Sequence, residues 1–272
     1  MNELVGLSLP LARVIDCLDR GISSMLSPYL YKRFERAKML IDKERFDQNA
    51  IIAIKEAMIQ DMIEVARTSR DRLELQNVVE IYGVAMMELQ NFDPANLPSM
   101  TPSNEWAAHF YDCAKDCSDD EIRILWSKIL EGEIKSPGRY FKRTLTNLKH
   151  MEKQEADCFV KLCKYVIEGV VPDFVFQEAL FPFNEFQSLV DCGLINPNKG
   201  EIEINKSQVV SLKGTKLQIE IKGKPFHMRV VTLTDSGLQI CELVNIKPDE
   251  SYVDKLIDEI SKNNLTTVKR ID

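Results

Sequence analysis

The sequence predicts a mainly α protein with a C-terminal α+β part. Two observations point there. Apolar residues recur at three- and four-residue intervals through most of the first 151 residues, the spacing that gathers them on one face of a helix. Beyond Met151 the period shortens to two, as in Glu201-Ile202-Glu203-Ile204, and turn residues interrupt shorter segments. These changes divide the chain into a helical region with long helices (1–100), a helical hairpin core (101–151) and a C-terminal module (152–272).

From Leu7 to Ser27, Leu11, Val14, Ile15, Leu18, Ile22, Met25 and Leu26 form an amphipathic helix weakened at Gly21. Its polar face mixes Arg13 and Arg20 with Asp16 and Asp19. That suits packing within the protein better than the Lys/Arg-rich face that anionic lipid attracts, so a membrane contact is the disfavoured reading. A basic helix follows over 29–45, where Lys32, Arg33, Arg36 and Lys38 are interleaved with Tyr29, Tyr31 and Phe34. These four cations are the candidate binding residues for a phosphate-bearing surface; the plainer reading is a solvated face or a clamp for acidic residues of a neighbouring helix. Asn49 to Asn91 reads as two helices parted near Thr68–Asp71. Ile51, Ile54, Met58, Met62 and Val65 line the first, and Leu73, Val78, Ile81, Val84, Ala85 and Leu89 the second. Pro94, Pro98 and Pro102 make 92–102 a linker or draped loop.

Ser103 caps the next helix, which buries Trp106, Phe110, Cys113 and Ala114. Ser118 and Glu121 form a capping box for a further helix whose apolar face is Ile122, Leu125, Trp126, Ile129 and Leu130. Ser136-Pro137-Gly138 breaks the pattern, with Pro137 suited to the first turn of a new helix carrying Tyr140, Phe141, Leu145 and Leu148. The expected product is a helical hairpin, with Glu131, Glu133, Arg139, Lys142 and Arg143 as a charge network at its turn.

This stretch, Trp126-x-x-Ile-Leu-x-Gly-Glu-Ile, then Pro137-Gly138, then Arg143-Thr144-Leu145 and Leu148, resembles the signature of an uncharacterised family, domain-of-unknown-function family 2806. The opening GLSLPLARVIDCLDRGISSMLSPYLYKRFERAK is similar to that family's usual start. The resemblance covers most of the chain, more weakly toward the C-terminus. It makes Trp126, Gly132, Pro137, Gly138, Arg143 and Leu145 structural signature residues. It implies a bacterial protein of defence-linked gene neighbourhoods, with a part in abortive infection, and carries no catalytic residues with it.

In the C-terminal module, a helix is expected from Glu152 to Glu168, stopped by Gly169. A second helix ends at Gly193; Pro197-Asn198-Lys199-Gly200 then turns Leu194-Ile195 into Glu201–Ile204 as a hairpin. Strands at 216–221 and 228–233 lead to a helix capped at Thr234, a helix over 249–263 and a closing strand at 266–271. The order resembles a winged helix. The helix in its recognition position carries Glu185, Gln187, Ser188 and Asp191 but no Arg or Lys, whereas a DNA reader needs cations there for phosphates and guanine edges.

Composition narrows the classes. A net charge of -7 opposes a protein devoted to nucleic acid, and 44% hydrophobic residues suffice for proper cores. Apolar runs fall short of the roughly 20 residues that span a bilayer, and no secretory start is present, so a cytoplasmic location is expected. Seven Cys without a C-x-x-C pair read as reduced thiols. Cys113 and Cys117, or Glu105 and His109, stand four apart, but nothing nearby completes a metal set. Neither a phosphate-cradling G-x-x-x-x-G-K-[ST] loop nor a G-x-S-x-G nucleophile motif occurs. Asp173 with Glu220 and Lys222 imitates the carboxylates and lysine of a metal-dependent nuclease.

The sequence therefore favours a non-enzymatic protein without cofactor or metal, acting through a protein partner or self-association. A nuclease effector using Asp173, Glu220 and Lys222 and a membrane-acting effector are the alternatives.

Overall fold

The computed structural model describes residues 9–22, 69–212, 215–222, 225–262 and 266–271, together with Ile52 and Glu56. Lys32, Arg33, Arg36 and Lys38, and the helix expected before residue 69, lie outside the described residues. Among the described residues the N-terminal half is helical, and small antiparallel sheets enter in the C-terminal half. The chain divides into two compact units, one through Lys149 and one from His150.

The first unit comprises α1 (Leu9–Ile22), α2 (Ser69–Leu89), α3 (Asn104–Ala114), α4 (Asp120–Lys135) and α5 (Lys142–His150). Helix α2 is buried nearly all round: Val78, Val79, Ile81, Tyr82, Ala85, Met86 and Leu89 have almost no exposed surface, as expected of a helix with partners on several sides. Leu73, expected on the packed face, is 54% exposed. Helix α1 packs on α2, α3 and α4, with Ala12, Val14 and Cys17 buried. The Pro-rich segment does drape: Asp93 caps a short 3-10 turn at Pro94–Asn96, and α1 fastens the rest. Arg13 donates to the Met100 carbonyl at 3.1 Å and Arg20 to that of Pro102 at 2.6 Å. Segments on either side of the Pro-rich stretch thus share one unit.

Phe110 centres the core, stacking on Trp106 at 5.1 Å and meeting Tyr82 and Trp126 edge-on at 5.8 and 5.4 Å. Two local expectations are corrected here. Asp119, not Ser118, caps α4, its Oδ1 accepting the amides of Glu121 and Ile122. One carboxylate so placed satisfies two of the helix's free donors and complements its dipole. Second, α5 begins only at Lys142, beyond Pro137, and its side chains fasten to α3. Lys142 reaches Glu105 at 3.0 Å, and Lys149 reaches Asp116 at 3.1 Å and the Asp112 carbonyl at 2.8 Å.

The second unit opens with α6 (Lys153–Cys163), where Glu155 accepts the Glu152 amide. The helix ends five residues earlier than expected, and the chain reverses tightly at Glu168 and Gly169, both left-handed (φ 46° and 86°). Paired bonds between Ile167 and Val170 close this turn. Positive φ at both central residues is what a two-residue hairpin requires.

Next come β1 (Val170–Pro172), α7 (Phe174–Gln177), α8 (Phe183–Asp191) and β2 (Ile195–Ile204). β3 (Gln208–Leu212), β4 (Thr215–Ile221), β5 (Phe226–Leu233), α9 (Asp235–Leu243), α10 (Glu250–Ser261) and β6 (Thr266–Ile271) complete it. One sheet has the order β1-β5-β2 and the other β3-β4-β6, with every pair antiparallel.

The hairpin expected at Pro197–Gly200 is absent. β2 runs through it against β5, and the register shifts between Ile195↔Leu233 and Lys199↔Val231. A bulge absorbs the surplus residues, including Pro197, which has no amide to give a ladder. Thr234 caps α9 through Gly237 as expected. Tyr252 anchors α10, its hydroxyl donating to the Tyr165 carbonyl at 2.8 Å.

Candidate functional site

Gly132, Pro137 and Gly138 of the signature meet at one turn. Glu133 sits on the buried side of α4, 1% exposed, one helical turn beyond Ile129 and Leu130. Its Oε1 accepts the Gly138 amide at 2.6 Å and its Oε2 the Tyr140 amide at 3.0 Å. Burial pushes this carboxyl above its ordinary range, and the amides of Tyr140, Gly138 and Arg139 oppose the shift. Gly138 needs its positive φ of 90° to turn those amides inward. Gly132 is small for a different reason: a Cβ there would lie 2.7 Å from the Tyr140 ring. Tyr140 in turn offers its carbonyl to Trp106 Nε1 at 2.8 Å.

Trp126 and Leu145 are core residues, Pro137 is half-buried within the turn, and Arg143 is exposed. The expected charge network is divided: Glu131 pairs with Lys135, Lys142 with Glu105, and Glu133 with backbone. Both oxygens of Glu133 are taken by backbone amides of the chain itself. The turn is a structural keystone, and its signal was a carboxylate at the core period, seven residues after Trp126.

A different surface faces outward in the second unit. From Tyr165 to Asn198 there is no Lys, Arg or His, while Glu168, Asp173, Glu178, Glu185 and Asp191 fall there together with five Phe. Four of those rings form a ladder from core to solvent. Phe181 is buried and meets Phe176 at 6.1 Å, Phe176 meets Phe186 at 4.9 Å, and Phe186 meets Phe183 at 6.2 Å. Phe183, on the first turn of α8, is 77% exposed.

Phe183, Gln187 and Asp191 are all exposed at four-residue intervals, one outward stripe of the helix, with Gln187 donating to Asp191 at 3.1 Å. Glu185 turns sideways to Lys161 at 3.3 Å, and Glu178 pairs with Lys255 at 2.8 Å. The exposure of Phe183 was missed in the sequence; the signal was the crowding of Phe residues in so short a segment.

The sequence-derived chemical sets are dispersed. Asp173, 2% exposed at the end of β1, accepts from Gln177 Nε2 at 2.6 Å; Lys199 Nζ stands 2.7 Å from its other oxygen, a charge contact without hydrogen-bond alignment. Glu220 lies on β4, in the other sheet, opposite Thr267, and Lys222 is exposed just past that strand. His109 Nε2 lies 3.2 Å from the Lys142 carbonyl and 3.0 Å from the Thr146 hydroxyl, while Glu105 is taken by Lys142. Cys117 points to the Asp119 carbonyl. Among the described residues no group of three His, Cys, Asp or Glu could hold a metal ion, and no helix is long and apolar enough to cross a membrane.

The thiols of Cys17, Cys158 and Cys192 are pushed up to about 12 by burial, the last two further by Glu185 and Glu155. They are protonated at neutral pH and carry no thiolate nucleophile. A cavity of about 160 Å³ in the second unit is lined by aliphatic residues, among them Ile202, Val210, Ile219 and Ile260, with Glu168 and Gln208 as its polar members.

Neither the curated proteins nor the solved structures contain a match to the chain. Residues 65–173, from the approach to α2 through the signature turn to Asp173, match the model of a family described as a protein of unknown function (DUF2806), and by that stretch the chain is similar to that family.

Proposed function

We propose that the protein is a non-enzymatic bacterial, cytoplasmic component that acts through protein–protein contacts, with its second unit a winged-helix-like module presenting the contact face. The element order supports the module: α6, β1, α7, α8 and β2 follow one another, and β5 returns after the β3-β4 hairpin to give the sheet order β1-β5-β2. In that arrangement α8 takes the recognition position.

The observation that carries the reading is Phe183, 77% exposed on that helix, in a segment without a single cation. A phosphate-binding helix is cationic; an exposed aromatic on a helix that carries no cation of its own is the composition of a protein-contact anchor. In the defence setting implied by the family resemblance, such a face would couple the protein to the component that it controls.

The test is duplex DNA binding by the full chain at physiological salt. The expected result is weak, salt-sensitive association without sequence preference. Sequence-specific binding tighter than about 10⁻⁸ M that is lost on substituting α8 overturns the reading.

A further inference from the structure

The outward stripe of α8 has a composition that selects its occupant. Phe183 is the apolar anchor, backed from within by the half-buried Phe186 and Phe176, which hold its ring in place for a partner's apolar side chains. Asp191, one helical turn beyond Gln187 on the same stripe, is exposed, and its side-chain contact is a neutral amide. Its negative charge is thus not neutralised by that contact, unlike those of Glu178 and Glu185. Asn184 and Gln187 add exposed amides, and Asn198, the last residue of the cation-free run, is exposed as well.

Three classes of occupant fit this surface badly. Nucleic acid would bring phosphates to a helix without Lys or Arg, beside which Lys161 is already paired with Glu185. An anionic lipid surface would meet Asp191 with like charge. A second copy docked symmetrically would set Asp191 and its neighbouring carboxylates against themselves, in a protein already at -7.

We infer that the Phe183–Asp191 stripe is the docking site for a cationic amphipathic helix of another protein, whose apolar stripe covers Phe183 and Phe186 and whose Lys or Arg side chains reach Asp191. This rests on the protein-contact reading of α8 and names the partner's chemistry. An aromatic anchor of this kind concentrates binding energy, and the acidic end sets orientation and encounter rate more than affinity.

The test uses the full chain and two fluorescently labelled 18-residue amphipathic peptides, one of Lys and Leu and one of Glu and Leu in the same pattern, read by anisotropy. The Lys/Leu peptide should bind and the Glu/Leu peptide should not. Phe183→Ser should weaken the Lys/Leu peptide roughly tenfold or more, and Asp191→Asn should weaken it several-fold with a shallower dependence on salt. Both variants should melt like the parent, since each side chain is exposed.

Binding of the Glu/Leu peptide, no binding of either peptide, or an affinity for Lys/Leu unchanged by Phe183→Ser overturns the partner assignment and leaves the protein-contact reading standing. A dimer in sedimentation that Phe183→Ser dissociates overturns it in favour of a second copy. Specific duplex binding through α8 overturns both.

Discussion

Two glycines six residues apart show how little the residue type alone says about its reason. Gly132→Ala would press a methyl into the Tyr140 ring, whose backbone is held by Glu133 and Trp106, and should cost about 1–3 kcal/mol as overpacking. Gly138→Ala meets no atom within 4 Å, yet it must hold φ at 90° and should cost a similar amount, about 1–3 kcal/mol, through backbone strain. Chemical denaturation of both gives the magnitudes; Tyr140→Phe removes the hydroxyl contact at 2.9 Å but keeps the ring carbon at 2.7 Å, so it should relieve the Gly132 variant in part and the Gly138 variant not at all.

Trp126, 1% exposed against Phe110, is a packing residue, and Trp126→Ala should cost roughly 3–5 kcal/mol. A variant that melts like the parent would contradict its place in the core. Glu133 predicts a pH dependence. Its folded carboxyl titrates above the ordinary value of 4.5, so protonation favours the folded state, and the contribution is lost as pH rises through the raised value. The parent should therefore lose stability relative to Glu133→Gln as pH increases above 4.5, the reverse of an ordinary salt-bridged glutamate. Paired thermal melts across that range decide it.

At the scale of elements, helix existence followed from apolar spacing, while ends and partners did not. The Ser103 and Thr234 caps were legible because each hydroxyl bonds its own first turn. Ser118 was misread because Asp119 competes for the same amides with a charged acceptor. The strand through Pro197 looked like a turn because a bulge and a turn use the same residues; only the partner strand β5 separates them. The attachment of α1 is also tertiary: Arg13 and Arg20 hold carbonyls more than eighty residues away. Arg20→Ala should remove the anchor at Pro102 at a cost of about 1–3 kcal/mol, and limited proteolysis should then cut the 92–102 segment faster than in the parent. Unchanged cleavage would mean that the loop is held from elsewhere.

At the scale of the whole molecule, the amino-acid order alone determined the helical character of the described part of the first half, the appearance of short strands in the second, and an α8 without cations. These are properties of spacing and charge, which survive without neighbours. The tertiary structure decided the rest because those choices depend on groups far apart in sequence. It put a second-half helix stripe at the end of an aromatic ladder, giving Phe183 an exposed position that its period could not reveal. It put Asp173 after a strand of one sheet and Glu220 on a strand of the other. It also spent Glu133, an apparent surface charge, on three backbone amides, since a tight turn packed against a helix must have its buried donors satisfied from somewhere, and only the folded chain says from where.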